Sequence, residues 1–165
     1  MEKNGITLAI NAKEYLTEFL SLNEAWITQY FKLEEADYQI AKDPEKIIDD
    51  GGYIFSLLKN NQVIGVCALF HLGANEYQLA RMAVNKAYHG NGYGNLLMEA
   101  ALDQLKALQV KKVTLLSNTA LVAAISLYKK YGFTVKSTGP HPVYSRVDIV
   151  MEKSFIWPSF ASDQT

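Results

Sequence analysis

One cysteine, Cys67, is all the thiol this 165-residue chain has, so no internal disulfide can staple it and its stability must come from a packed core. Long apolar runs are missing as well. Nowhere do about eighteen apolar residues follow one another, so no segment reads as a bilayer-spanning helix, and no membrane partner is expected. An excess of one charge is also lacking. Sixteen Lys and Arg stand against seventeen Asp and Glu, for a formal net charge of −1, and no basic run could meet a row of phosphates; a dedicated nucleic-acid binder is excluded. The opening Met1-Glu2-Lys3-Asn4-Gly5 lacks the basic-then-apolar pattern of a secretory signal, and the cytosol is the expected compartment. Histidine is scarce, with three in all, and neither His71 nor His141 has the spacing of a metal set.

What is present is a globular composition. Hydrophobic residues at 49% and charged residues at 20% exclude disorder for most of the chain, and the length suits one domain with a sizeable core. Residues 1–153 read as that domain. Residues 154–165, with Phe155, Ile156, Trp157 and Phe160, read as an aromatic tail that packs back on the domain or on a second subunit, which makes a homodimer a candidate assembly. Cys67 sits inside the apolar run from Val63 to Phe70 and is expected as a buried small hydrophobe, not a nucleophile.

The periodicity gives an alternating order of elements. Ile6 to Ile10 reads as a strand, and Asn11 is placed to cap a helix carrying Leu16, Phe19, Leu20 and Trp26-Ile27, with helical pieces continuing to about residue 50. Tyr53–Lys59, the turn Asn60-Asn61 and Gln62–Phe70 form a hairpin, because Asn tolerates the positive φ of a tight turn. Tyr77–Val84 is the next strand. From Gly94 the chain turns helical, with Leu97, Ala101, Leu105 and Leu108 on one stripe. Lys112–Leu116 is then a strand, Thr119–Tyr131 a helix stopped by Gly132, Phe133–Ser137 a strand, and Tyr144–Met151 a final strand.

The densest signal is His89-Gly90-Asn91-Gly92-Tyr93-Gly94, between a strand and a helix. Glycines can take positive φ and gather several N–H groups round one point, while the helix N-terminus adds partial positive charge, so a phosphate or pyrophosphate fits there. Two familiar phosphate motifs fail. Gly94 is followed by Asn95-Leu96 where a P-loop needs Lys and Ser or Thr, and the glycine spacing misses the dinucleotide fingerprint from either start.

A second block follows: Asn118, Ala123-Ala124, then Leu127-Tyr128-Lys129-Lys130-Tyr131-Gly132-Phe133. With Leu79-Ala80-Arg81-Met82-Ala83-Val84 and the glycine loop, residues 79 to 133 resemble the GNAT superfamily of acyl-CoA-dependent N-acetyltransferases, whose signature Gln/Arg-x-x-Gly-x-Gly/Ala is matched with His89 in place of Gln or Arg. The resemblance implies an α/β (α+β) fold with a mixed, mostly antiparallel central sheet of six to seven strands and helices on both faces. It also implies acetyl-CoA as cofactor and acetyl transfer to a primary amine of a small molecule or protein by direct attack in a ternary complex. The alternative is a non-catalytic acyl-CoA-binding sensor with the same fold.

The resemblance further implies cofactor-binding roles for Met82, Ala83 and Val84 on a splayed central strand, for the loop His89, Gly90, Asn91, Gly92, Tyr93, Gly94 and Asn95, and for Asn118 and Tyr128. Asn118 can equally cap the helix after it. Tyr128 matches the family's tyrosine near the cofactor sulfur, where a phenol suits a thiolate leaving group; helical spacing with Leu121 and Ile125 also allows a core role. Glu76 is the best-placed carboxylate for a general base, with a water chain as the alternative. Arg81 and Arg146, the only arginines, with Tyr144 and His141, are candidates for the acceptor pocket; the two arginines can instead form internal ion pairs.

Overall fold

Tyr53–Lys59 and Gln62–Gly73 carry near-continuous apolar runs buried on both faces, Lys112–Ser117 alternates buried and half-buried residues, and all the strands join in one sheet. The computed structural model describes residues 2–3 and 5–158, with side chains from residue 5. Strands β1 (Glu2–Lys3), β2 (Ile6–Ile10), β3 (Tyr53–Lys59), β4 (Gln62–Gly73), β5 (Glu76–Val84), β6 (Lys112–Ser117), β7 (Thr134–Thr138) and β8 (Ile149–Ser154) lie in the order β1-β2-β3-β4-β5-β6-β8-β7. All pairs are antiparallel except β5–β6. This is the mixed, mostly antiparallel sheet expected, with seven strands of ordinary length and the two-residue β1 added at the edge.

Helices cover both faces. α1 (Leu16–Tyr30) and the short α3 (Glu45–Asp49) lie on one, where Leu16, Phe19 and Ile47 pack against Ile54, Val66, Ala68 and Ala83. α4 (Tyr93–Ala107) lies on the other, where Leu97, Met98, Ala101 and Leu105 pack against Phe55, Leu57, Leu69, Leu79 and Leu115. α5 (Val122–Lys130) joins that layer through Ile125 and Tyr128, and α2 (Glu35–Lys42) follows α1. Cys67 is fully buried, as expected, and burial pushes its thiol pKa well up, so it packs rather than reacts.

β5 carries the irregularity that makes the site. Val66 pairs with Ala83 and Ala68 with Ala80, so Arg81 and Met82 together oppose Cys67 alone: a β-bulge, with Arg81 at φ +59°. Its effect shows in the core. Tyr77 and Leu79 pack in the α4 layer, but Ala83, at the same parity, packs in the α1 layer. On the other edge, the parallel pairing of β5 and β6 runs from Glu76↔Lys112 to Leu79↔Leu115 and stops. Leu116 and Ser117 pair only with β8, so the two central strands diverge at their C-terminal ends.

Three local expectations are corrected. Asn11 does not cap a helix: at φ +57° its side-chain oxygen accepts from Ile54 N at 2.8 Å and its own N–H donates to Ile54 O, which ties it to β3. The helix after β6 starts at Val122 and not at Thr119, because the Asp148 carboxylate takes the Thr119 N–H and hydroxyl, both at 2.8 Å. The last strand starts at Ile149 and not at Tyr144, because Tyr144–Arg146 are held toward α2, with Ser145 N donating to Glu34 Oε1 at 2.8 Å. In the tail, Trp157 Nε1 donates to Val110 O at 2.7 Å and Phe155 stacks on Trp157, while Ile156 is 96% exposed; Phe160 lies outside the described residues.

Phe19 is fully buried where α1 meets the sheet. Phe19→Ala is expected to cost about 3–5 kcal/mol by urea unfolding; a loss below about 1 kcal/mol would contradict this packing.

Candidate active site

The glycine loop bridges the end of β5 and the start of α4. Gly90 and Gly92 stand at φ +83° and +78°, and Gly92 is the N-cap of α4, so left-handed backbone favours glycine at both. Gly94 is different. Its φ is not left-handed, and an added Cβ would meet only Leu127 Cδ2 at 3.7 Å, so the chain's own packing does not demand a glycine there. The missing side chain keeps the helix N-terminus open to close approach. No acidic residue lies in the first turn of α4, which leaves its free N–H groups and dipole for an external anion.

The loop's side chains hold its shape. His89 Nε2 donates to Val84 O at 2.7 Å, Asn91 Nδ2 donates to Tyr88 O at 2.9 Å, and Asn95 Oδ1 accepts from Lys130 Nζ at 2.8 Å and Tyr131 OH at 3.0 Å. Tyr93 opens α4 with its ring against Tyr88. The loop is thus tied to β5 and α5, and its backbone is what remains to meet a ligand.

A cavity of about 100 Å³ opens where β5 and β6 part. Ala80, Arg81 and Met82 form one wall and Leu116, Ser117 and Asn118 the other. Ala83 and Val84 continue the unpartnered edge of β5 toward the glycine loop. This edge offers backbone groups to an extended molecule as an added strand would be met. Asn118 has its side chain engaged: Nδ2 donates to Arg146 O at 2.9 Å and Oδ1 accepts from Ala120 N at 2.8 Å, a turn ahead of α5, whose N-cap is Leu121, so Asn118 does not cap the helix.

Tyr128 lines the same cavity from α5, with its ring edge-on to Phe133. Its hydroxyl forms no hydrogen bond with the described residues, and no sealed side-chain polar atom among them lacks a partner, so the hydroxyl opens to the cavity. Loss of water around the phenol, with Cys67 nearby, pushes its pKa up to about 12.

At the end of the cavity under α1, Trp26, Phe31 and Tyr144 line it beside Arg81 and Arg146. Both arginines are held by Asp37, a residue the sequence reading did not single out. Arg146 grips it with two bonds of 2.7 Å, Arg81 Nη1 lies 2.7 Å from Oδ1, and Glu34 N donates to Oδ2 at 2.8 Å. Glu34 adds a second carboxylate at 3.3 Å from Arg146. Arg81 Nη2 donates to the Tyr144 hydroxyl at 3.0 Å, and the Arg146 guanidinium lies over the Tyr144 ring at 4.6 Å. The internal ion pairs are therefore present, and two guanidiniums are balanced by two carboxylates. Burial alone would raise the Asp37 carboxyl, but the bonds from Arg146 and Glu34 N and the charge of Arg81 overcome it and hold the pKa at about 2.

Glu76 is not brought to the cavity. It stands at the opposite end of β5, with its carboxylate 3.2 Å from Lys112 Nζ, and no Asp, Glu or His is among the described residues lining the cavity. His141 is also outside that lining; its Nδ1 accepts from Val143 N and Tyr144 N and shapes the turn. Asp37 and Glu34 escaped the sequence reading because their arginine partners lie far off in the chain, and Asn23 because its one bond, to Phe19 O, is a local helix contact that carries no signal of a site. The one local signal was Glu34-x-x-Asp37, which reads as a capping box at the start of α2.

Residues 17–133 match the acetyltransferase (GNAT) family, and the chain belongs to that family. Acetyl-CoA is the family's cosubstrate, and the chain is an acetyl-CoA-dependent acyltransferase by family. Among solved structures, an acetyltransferase of the family from Staphylococcus aureus Mu50 is 18% identical, with TM-score 0.80 over 90% of this chain and 98% of its own. PaiA N-acetyltransferase from Thermoplasma acidophilum, solved with coenzyme A, is 21% identical, with TM-score 0.69 over 90% of this chain and 99% of its own. No curated protein matches. The open β5 edge, the left-handed glycines and the uncapped α4 N-terminus fit such a cosubstrate on this chain's own geometry.

Two predictions follow from the geometry. Gly92→Val demands left-handed backbone from a β-branched residue at φ +78°, and should weaken coenzyme A binding about tenfold or more by calorimetry; unchanged affinity would remove the loop from the anion site. Asp37, held at about 2 against its ordinary 3.8, contributes about 2 kcal/mol that is present above the ordinary value and lost as pH falls toward 2. Urea unfolding from about pH 5 down to about pH 2 should therefore show a steeper loss for the wild type than for Asp37→Asn, and parallel curves would contradict the clamp.

Proposed function

We propose that the protein is an N-acetyltransferase that moves an acetyl group from acetyl-CoA to a primary amine of a small molecule or protein by direct attack in a ternary complex. The observation that carries this reading is one cavity lined by the open edge of β5, the Tyr128 hydroxyl and an aromatic acceptor end. The lone buried thiol suits a reducing cytosol. Residues 1–153 form the catalytic domain, and residues 154–165 form a tail.

Acetyl-CoA supplies an acetyl group already activated as a thioester, so that a C–N bond forms as the C–S bond breaks and its electron pair leaves on sulfur. Gly90, Gly92 and the first N–H groups of α4, with the loop from His89 to Asn95, hold the pyrophosphate. Met82, Ala83 and Val84 present backbone groups to the pantetheine, and Met82 N–H polarises the carbonyl. Arg81, Tyr144 and Arg146 shape the acceptor pocket as a charge-balanced wall. They do not act as a free cationic site.

An alkyl amine with a pKa near 10 is mostly protonated at neutral pH. Among the described residues no carboxylate or imidazole lines the cavity, so the amine sheds its proton to water and not to Glu76, whose carboxylate is paired with Lys112. Tyr128 serves the other half of the proton balance. At a pKa of about 12 its phenol stays protonated at any physiological pH, so its O–H is available to the departing thiolate.

Tyr128→Phe keeps the ring against Phe133 and removes only the hydroxyl. The variant should fold, bind coenzyme A nearly as well as the wild type, and turn over at least about tenfold more slowly in an amine-dependent thiol-release assay. Near-normal turnover would remove Tyr128 from the mechanism. Tight acetyl-CoA binding by the wild type, with no thiol release for any amine, would favour the sensor.

A further inference from the structure

Asn23 projects from the middle of α1 into the acceptor end of the cavity and is only 5% exposed. Its Nδ2 donates to Phe19 O at 2.7 Å, one helical turn back. That bond fixes the orientation of the amide, because an atom so close to a carbonyl oxygen must be the nitrogen. The other amide atom is therefore the oxygen. It accepts no hydrogen bond from the described residues, and since none of their sealed side-chain polar atoms lacks a partner, this oxygen is open, at a point where Asn23 lines both this cavity and a smaller pocket toward α2.

A nearly buried acceptor aimed into a cavity is incomplete without a donor. Of the other polar side chains at this end, Arg81, Arg146 and the Trp26 indole offer N–H donors, the Tyr144 hydroxyl already accepts from Arg81 Nη2, and the carboxylates behind are engaged by the two arginines. Asn23 Oδ1 is thus the side-chain acceptor at this end that no protein donor among the described residues engages. Its neutrality matters. A carboxylate in its place would stabilise the ammonium and hold the amine in the form that cannot attack, whereas an amide oxygen orients an N–H with no full charge.

We propose that Asn23 orients the attacking amine, its Oδ1 accepting a hydrogen bond from an amine N–H while its Nδ2 is anchored on Phe19 O. This rests on the acetyl-transfer reading above.

The test measures thiol release from acetyl-CoA by the full chain with phenethylamine, putrescine, L-lysine and an alanine-initiated tetrapeptide. No release by the wild type with any of these would overturn both the acetyl-transfer reading and this one. With the best amine, Asn23→Leu should raise the amine KM about tenfold or more and leave the acetyl-CoA KM within about twofold. If the Leu variant does not fold, Asn23→Ala carries the same expectation. Asn23→Asp keeps an acceptor oxygen but has no N–H for Phe19 O and holds the amine as ammonium, so it should lose as much thermal stability as Asn23→Leu and turn over more slowly, yet keep the amine KM within about threefold of wild type. A residue that merely ties the helix would give the same melting loss in both variants with the amine KM unmoved. That result, or an Asp variant as impaired in amine KM as the Leu variant, would overturn the role of Asn23 and leave the acetyl-transfer reading standing.

Discussion

One buried carboxylate fixes the geometry on which the site depends. Asp37 receives a bidentate grip from Arg146, a bond from Arg81 and a backbone N–H from Glu34, and it joins three separate parts of the chain: α2, the bulge of β5 and the loop before β8. Arg81 sits at φ +59°, a left-handed conformation that costs a non-glycine residue on the order of 1 kcal/mol, and its ion pair to Asp37 offsets that cost. The same carboxylate draws Arg146 and Tyr144 out of strand geometry and seats them over the cavity. Remove it, and a guanidinium is left buried with half its charge balance, the kind of loss that costs about 3–5 kcal/mol.

The bulge and the end of the β5–β6 pairing act together. The bulge moves β5 from one core layer to the other within four residues, from Leu79 to Ala83, and β6 turns toward β8 after Leu115. Two parallel strands that part at their C-terminal ends leave a crevice with a helix starting beside each, the arrangement in which open α/β sheets hold ligands. The electrostatics of that crevice are restrained. The carboxylates behind its wall are matched by arginines, burial holds the pKa of its phenol up, and the N-terminus of α4, with no acidic residue in its first turn, is left to attract an anion.

Local chemistry made much of this visible in advance. Gly90 and Gly92 announced a left-handed loop before a helix, the Asn60-Asn61 turn announced a hairpin, and both were found as expected, with the two asparagines at φ +50° and +67°. The order of the blocks from Leu79 to Phe133 carried the fold. Long-range partners were hidden. Tyr144–Arg146 alternated like a strand, and only Asp37 and Glu34, more than a hundred residues earlier, explain why that segment is a loop. Asn11 looked like a helix cap because capping and strand-tying use the same short amide, and the choice was made by Ile54, forty-three residues away. Glu76 looked like a base because strand position was visible and its partner Lys112 was not.

The central claim is that acetyl-CoA lies in the crevice between β5 and β6 with its pyrophosphate on the glycine loop. Backbone amide NMR during titration with coenzyme A tests it most directly. The largest shifts are predicted at Met82–Val84, at the loop from Gly90 to Gly94 and at Ser117-Asn118, with little change along β1–β3. Shifts centred elsewhere, with these amides unmoved at saturation, would contradict the account.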